Sequence, residues 1–154
     1  MEIENSNMTE LIHILLVEDN EGDILLTTEA LKDARIGNSI SITRDGWEAI
    51  QYLEKEDGYS QAITPDLILL DINLPKLNGQ EVLKRIKTND RFKHIPVIVL
   101  TTSSAAQDIT SSYQNHANSY ITKPVEAEDF MQIILSIEKF WINIVKLPKQ
   151  LKKD

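Results

Sequence analysis

No cysteine occurs anywhere in the 154 residues, which excludes disulfides and thiolate metal sites and fits a reducing, cytoplasmic setting. Long apolar runs are missing as well. The longest, such as Leu67–Leu70 and Val97–Leu100, are far too short to cross a bilayer. Met1–Glu10 is polar and has neither the basic nor the apolar region of a secretory signal. Positive charge is scarce: 16 Lys and Arg stand against 24 Asp and Glu, and the formal net charge of −8 argues against a nucleic-acid surface. Lys146, Lys149, Lys152 and Lys153 make one end basic, and that end reads as a solvated tail. The five glycines form no phosphate-cradling loop, so no nucleotide site is indicated. There is no internal repeat, no low-complexity segment and no linker toward a second domain.

What is present is an alternation of two periodicities, in a length suited to one domain. Short apolar runs at His13–Val17, Ser39–Thr43, Leu67–Asp71, Val97–Thr101 and Ser119–Thr122 predict strands. Helical spacing separates them. Ile24, Thr28 and Leu31 mark one helix, and Trp47, Ile50 and Leu53 a second in which Trp47 is a packing residue. Val82, Leu83 and Ile86 mark a third, and Ile109 and Tyr113 a weaker fourth. Phe130, Ile133, Ile134, Ile137, Trp141 and Ile144 mark the last. Asn20 suits the cap of the first helix, Gly79 opens the third, and Pro96 precedes the fourth strand. Runs apolar on both faces belong to strands covered on both sides. The expected fold is therefore α/β, a doubly wound five-stranded parallel sheet with helices on both faces. The expected organisation is a flexible N-terminus over 1–10, one domain over 11–147 and a tail over 148–154.

Ligands of a doubly wound sheet sit beyond the carboxyl ends of its strands. Here the first strand ends in Glu18 and Asp19, the third in Asp71, the fourth in Thr101 and Thr102, and the fifth in Thr122, Lys123 and Pro124. Carboxylates, hydroxyls and one lysine thus converge on one edge. An all-oxygen acidic pocket without histidine or cysteine suits a hard cation, Mg²⁺ or Mn²⁺. Lysine beside it suits an arriving phosphoryl group, whose oxygens it can pair, and Thr101 can add a hydrogen bond. An aspartate between a divalent cation and a lysine is a competent nucleophile for phosphoryl transfer. His13, His94 and His116 show no paired spacing and read as non-catalytic.

Val17-Glu18-Asp19-Asn20, Leu69 to Pro75 with Gly79, Leu100 to Ser103 and Tyr120 to Pro124 together resemble the motif series of bacterial receiver domains, over about residues 11–145. The stretch Phe140–Pro148 further resembles the end of stand-alone regulators paired with bacterial phytochrome-type histidine kinases. The resemblance implies a chemotaxis-regulator-like sheet order 2-1-3-4-5 and a two-component role, with a sensor histidine kinase as partner and no output domain. It implies Asp71 as phosphoacceptor, and Asp19, Asp71 and the Asn73 backbone carbonyl as Mg²⁺ ligands, with Glu18 acting through water. Lys123 would hold a phosphoryl oxygen, its bond to Pro124 is expected cis, and Thr101 and Tyr120 would form a switch pair. Two residues depart from the pattern. Glu18 stands where aspartate is common, and His116 where glycine usually closes the fourth helix with positive φ.

Rival readings are an aspartyl-phosphate phosphohydrolase and a phosphorylation-independent adaptor of the same fold. The first needs a second acid near the nucleophile, where Ile72-Asn73 offers only an amide; the second has no use for an intact acidic pair and Lys123. The chain is expected to catalyse only its own phosphorylation and dephosphorylation. At 100° per residue Phe130, Ile134, Ile137 and Trp141 share the core face of the last helix, with Ile133, Ile144 and Val145 on its flanks. Met131, Leu135 and Ile142 form a second strip, expected to be a homodimer face.

Overall fold

A computed structural model describes residues 12–32, 38–144 and 146–148; the side chains of Ile142 and Ile144, all of Val145, the expected flexible segment 1–10 and most of the expected tail lie outside the described residues. The chain runs β1 (Ile12–Val17), α1 (Glu21–Lys32), β2 (Asn38–Thr43), α2 (Gly46–Glu54), β3 (Leu67–Leu70), α3 (Gly79–Lys87), β4 (Val97–Thr101), α4 (Ala106–Gln114), β5 (Ser119–Thr122) and α5 (Ala127–Ile137). The five strands form one parallel sheet in the order β2-β1-β3-β4-β5, as expected.

Strand alternation divides the core in two. Leu15, Val17, Ile68, Leu70, Val97 and Val99 point to the side covered by Ala49 and Leu53 of α2 and by Val82, Leu83 and Ile86 of α3. Ile14, Leu16, Leu67, Leu69, Ile98 and Leu100 point to the side covered by Ile24 and Leu31 of α1 and by Phe130, Ile134 and Ile137 of α5. Both sides of the three central strands are therefore dry, which is why they read as unbroken apolar runs.

Three helices begin with the same device. Asn20, Asp45 and Asn78 each accept a backbone N–H three residues on, from Asp23 (2.9 Å), Glu48 (2.8 Å) and Glu81 (3.0 Å). In α1 the buried hydroxyl residue is Thr27, while Thr28 is only half-buried and turns its hydroxyl back to the Leu25 carbonyl. Trp47 does not enter the core. It is 44% exposed, and the Arg85 guanidinium lies 4.9 Å over its ring, so the residue joins α2 to α3 from outside. His116 takes the left-handed conformation, φ 71°, directly after α4, the geometry for which glycine is the usual choice. Beyond Ile137 the last helix widens into a π-helical segment, Glu138–Ile144. The 100° spacing that placed Trp141, Ile142 and Ile144 on named faces does not hold there. Trp141 still packs, half-buried, on the α1–α5 side of the core.

Candidate functional site at the carboxyl edge of the sheet

The site residues stand one step past the strands, and the sheet's hydrogen bonding extends to reach them. The Glu18 N–H donates to the Thr43 carbonyl (3.0 Å), that of Asp71 to Val17 (3.0 Å) and that of Lys123 to Thr101 (2.6 Å). Val17 lies beside Leu70 and Thr101 beside Thr122, so this edge sets Glu18 against Asp71 and brings β5 alongside β4. Positions that look scattered over more than a hundred residues of sequence thereby share one rigid frame.

Gly79 fixes the loop after Asp71. A Cβ there would lie 2.3 Å from the Ile72 Cα and 2.4 Å from the Asp71 carbonyl oxygen, so α3 starts directly against the backbone that carries Asp71. The Gly79 N–H also donates to the Ile72 carbonyl at 3.0 Å.

Carboxylate oxygens of Glu18, Asp19 and Asp71 lie within 4.8 Å of one another, with Glu18 and Asp71 buried and Asp19 exposed. The Lys123 ammonium donates to Glu18 Oε1 (2.5 Å), Asp23 Oδ2 (2.8 Å) and Asp71 Oδ2 (3.1 Å). The second Glu18 oxygen accepts the Asn20 N–H at 3.1 Å, and Asp71 Oδ1 accepts the Asn73 N–H at 3.0 Å. Burial pushes the Glu18 carboxyl up to about 7, helped by the Asp71 charge and opposed by the Lys123 bond. Burial alone would lower Lys123, but its bonds to Asp23 and Glu18 and the Asp71 charge hold it above its ordinary value.

Four carboxylates gather here around one ammonium that bonds three of them, and the side-chain ligand atoms the cluster offers a cation are all oxygen. That chemistry fits a hard divalent cation: surplus negative charge, no soft ligand, and one exposed carboxylate at the entrance.

On the β4 side, Thr101 is fully buried. Its hydroxyl oxygen accepts from the Asn73 side-chain amide (3.3 Å) and lies 3.5 Å from the Ser103 N–H. Tyr120 donates its hydroxyl to the Ser103 carbonyl at 2.8 Å. Thr101 and Tyr120 are thus linked through Ser103, on the β4–α4 loop.

The structure gathers Glu18, Asp19, Asp71, Asn73, Thr101 and Lys123 at one edge, with Tyr120 connected to them. Asp23 belongs to the cluster and was not legible as a site residue. An acid in the first turn of a helix reads as a response to the helix dipole, and its distance from Lys123 in sequence gives no hint of contact. The expected cis bond is not found: no cis peptide occurs among the described residues, Lys123–Pro124 included, and proline's small preference leaves either isomer accessible. A groove of about 360 Å³ lies between the last turns of α2 and α3, lined by Ile50, Leu53, Ile86 and Phe92. Its charged residues are already paired, Glu54 with Arg91 and Arg85 with Glu81.

Residues 14–135 match the family model described as the response regulator receiver domain. Response regulator Rcp1 of Synechocystis sp. is 45% identical over 135 residues, covering 88% of this chain and 92% of that protein. The crystal structure of the Mn(2+)-bound form of Rcp1 aligns with a TM-score of 0.88 at 44% identity, covering 90% of this chain and 99% of that one. The crystal structure of the phosphorylated cyanobacterial phytochrome response regulator RcpA gives the same TM-score and coverage at 47% identity.

Proposed function

The chain belongs to the response regulator receiver domain family, and from that premise we propose that it accepts a phosphoryl group on Asp71 from a sensor histidine kinase and signals through the surface of α4, β5 and α5. The observation that carries the reading is the Asp71 carboxylate itself: buried, next to two further acids, and hydrogen-bonded at 3.1 Å to a lysine that reaches it from β5. The likeness to a phytochrome response regulator supports a phytochrome-type kinase as the donor.

In this mechanism an Asp71 oxygen forms the new O–P bond while the P–N bond of the kinase's phosphohistidine breaks, and the imidazole keeps that electron pair. The Asn73 N–H holds the carboxylate in a fixed orientation. Lys123 pairs with a phosphoryl oxygen, and the Thr101 hydroxyl, now engaged by Asn73, turns to donate to another. Mg²⁺ would be held by Asp19, Asp71 and the Asn73 backbone carbonyl with Glu18 behind them, and it would neutralise charge on the transferring group. Movement of Thr101 disturbs Ser103, whose carbonyl holds the Tyr120 hydroxyl, so the β4–α4 loop and the outer face of β5 respond together. The chain catalyses only its own phosphorylation and dephosphorylation, and it works in the cytoplasm, where a cysteine-free composition is at home.

Labelling with acetyl phosphate and Mg²⁺, followed by borohydride trapping and peptide mapping, tests the assignment. The expected result is one modified residue, Asp71; modification elsewhere with Asp71 untouched would overturn it.

Homodimerisation belongs to the same reading. Leu135 is 38% exposed on α5, and Met131 is half-buried beside it. Leu135→Glu should leave a folded monomer, since the charge would be buried unpaired at the interface. Sedimentation that finds wild type monomeric, with or without an acyl-phosphate analogue, rules the dimer out.

A further inference from the structure

Asp23 lies in the acidic first turn of α1, a placement the helix dipole favours, but its carboxylate does not stay at the helix end. In a capping box a glutamate or glutamine at the third helical position turns back to accept the N–H of the capping residue. Here that N–H, from Asn20, donates to Glu18 at 3.1 Å. The Asp23 carboxylate is released from capping and reaches instead into the site, where it lies 2.8 Å from Lys123 Nζ.

An ammonium has three N–H donors, and Lys123 spends all of them on Glu18, Asp23 and Asp71. To hold a phosphoryl oxygen it must leave one partner. Asp71 is the acceptor and stays beside it. Glu18 has a side chain only 4% exposed, so losing the lysine would strand a buried charge. Asp23, at 22%, alone among the three can be rehydrated when released.

Resting on the reading of Asp71 as phosphoacceptor, we infer that Asp23 is a positioning residue that holds Lys123 in the unphosphorylated site and competes for it with the phosphoryl group. It sets how firmly the site takes an anion at Asp71, by occupying the lysine and by adding a negative charge beside the arriving one. Glu18 and Asp71 suffice to keep Lys123 in place when Asp23 is gone, so removal of Asp23 frees the lysine without displacing it.

Beryllofluoride, which mimics the phosphoryl group on an aspartate, is the probe, titrated with Mg²⁺ against wild type, Asp23→Asn, Asp23→Ala and Asp23→Glu. Asp23→Asn and Asp23→Ala should bind it roughly threefold to fivefold more tightly, the scale of a partly screened ion pair. Asp23→Glu, which restores the charge, should return toward wild type. Without any cation, the Lys123 ammonium protons observed by nuclear magnetic resonance should exchange with water faster in Asp23→Asn than in wild type. Unchanged or weaker beryllofluoride binding in Asp23→Asn and Asp23→Ala, with unfolding midpoints equal to wild type, overturns the inference. Beryllofluoride binding that is equal in wild type and Asp71→Asn overturns the phosphoacceptor reading, and the role of Asp23 with it.

Discussion

His13 is buried at the start of β1, with Nδ1 against the Ser39 hydroxyl and Nε2 2.9 Å from the Tyr52 hydroxyl and 3.0 Å from that of Ser41. Burial lowers its pKa below the ordinary 6.5, and the nearby Asp66 only partly offsets this. Well above pH 6.5 neither the folded nor the unfolded state protonates it appreciably. As pH falls below 6.5 the unfolded chain takes a proton that the folded chain refuses, so stability is lost until the lowered folded pKa is passed. Urea unfolding at pH 7.5 and 5.5 should therefore show a larger loss for wild type than for His13→Gln; parallel losses would show that His13 does not titrate this way. At this scale the sequence made Glu18, Asp19, Asp71, Thr101 and Lys123 legible, because each directly follows an apolar run and the edge of a parallel sheet collects such positions. Asp23 was hidden by its helix, where an acid in the first turn has an ordinary explanation. Trp47 was misplaced because helical spacing sees only its own helix, and the Arg85 side chain that covers the ring comes from another.

Among the elements, α3 is the one whose start determines the shape of the site. Gly79→Ala would push a methyl group into the Asp71 and Ile72 backbone, at 2.4 and 2.3 Å, where no flexible side chain can yield. The expected outcome is a loss of about 1–3 kcal/mol in urea unfolding, together with slower acetyl phosphate labelling, because the carboxylate and its loop must shift together. Wild-type stability and labelling in Gly79→Ala would contradict the close approach. The central strands and α1 to α3 were readable from period alone, since β1, β3 and β4 are dry on both faces and these helices carry apolar stripes with polar caps, whereas α4 starts at Ala105 without a side-chain cap and buries only Ser112. The last helix was not fully readable. Its apolar spacing is correct through Ile137, but nothing in an apolar pattern announces the wider turn from Glu138 onward. His116 was readable as a departure, and its φ of 71° shows that the backbone keeps the turn glycine would favour.

At the scale of the molecule, the two halves of the core clamp β1, β3 and β4 and deliver Glu18, Asp71 and Thr101 to one edge on hydrogen-bonded backbone. The acids are held close together by packing on either side of the sheet, and Lys123 offsets part of their repulsion from the neighbouring strand. Such an edge gains most from an added cation or from a change of charge at Asp71, which is the physical argument for the switch proposed above. The measurement that tests this most directly is phosphotransfer from a phosphorylated histidine kinase in the presence of Mg²⁺, followed by the intact mass of wild type and of Asp71→Asn. Wild type should gain one phosphoryl group, and Asp71→Asn, whose amide is no nucleophile, should gain none. Equal gain in both proteins would contradict the account.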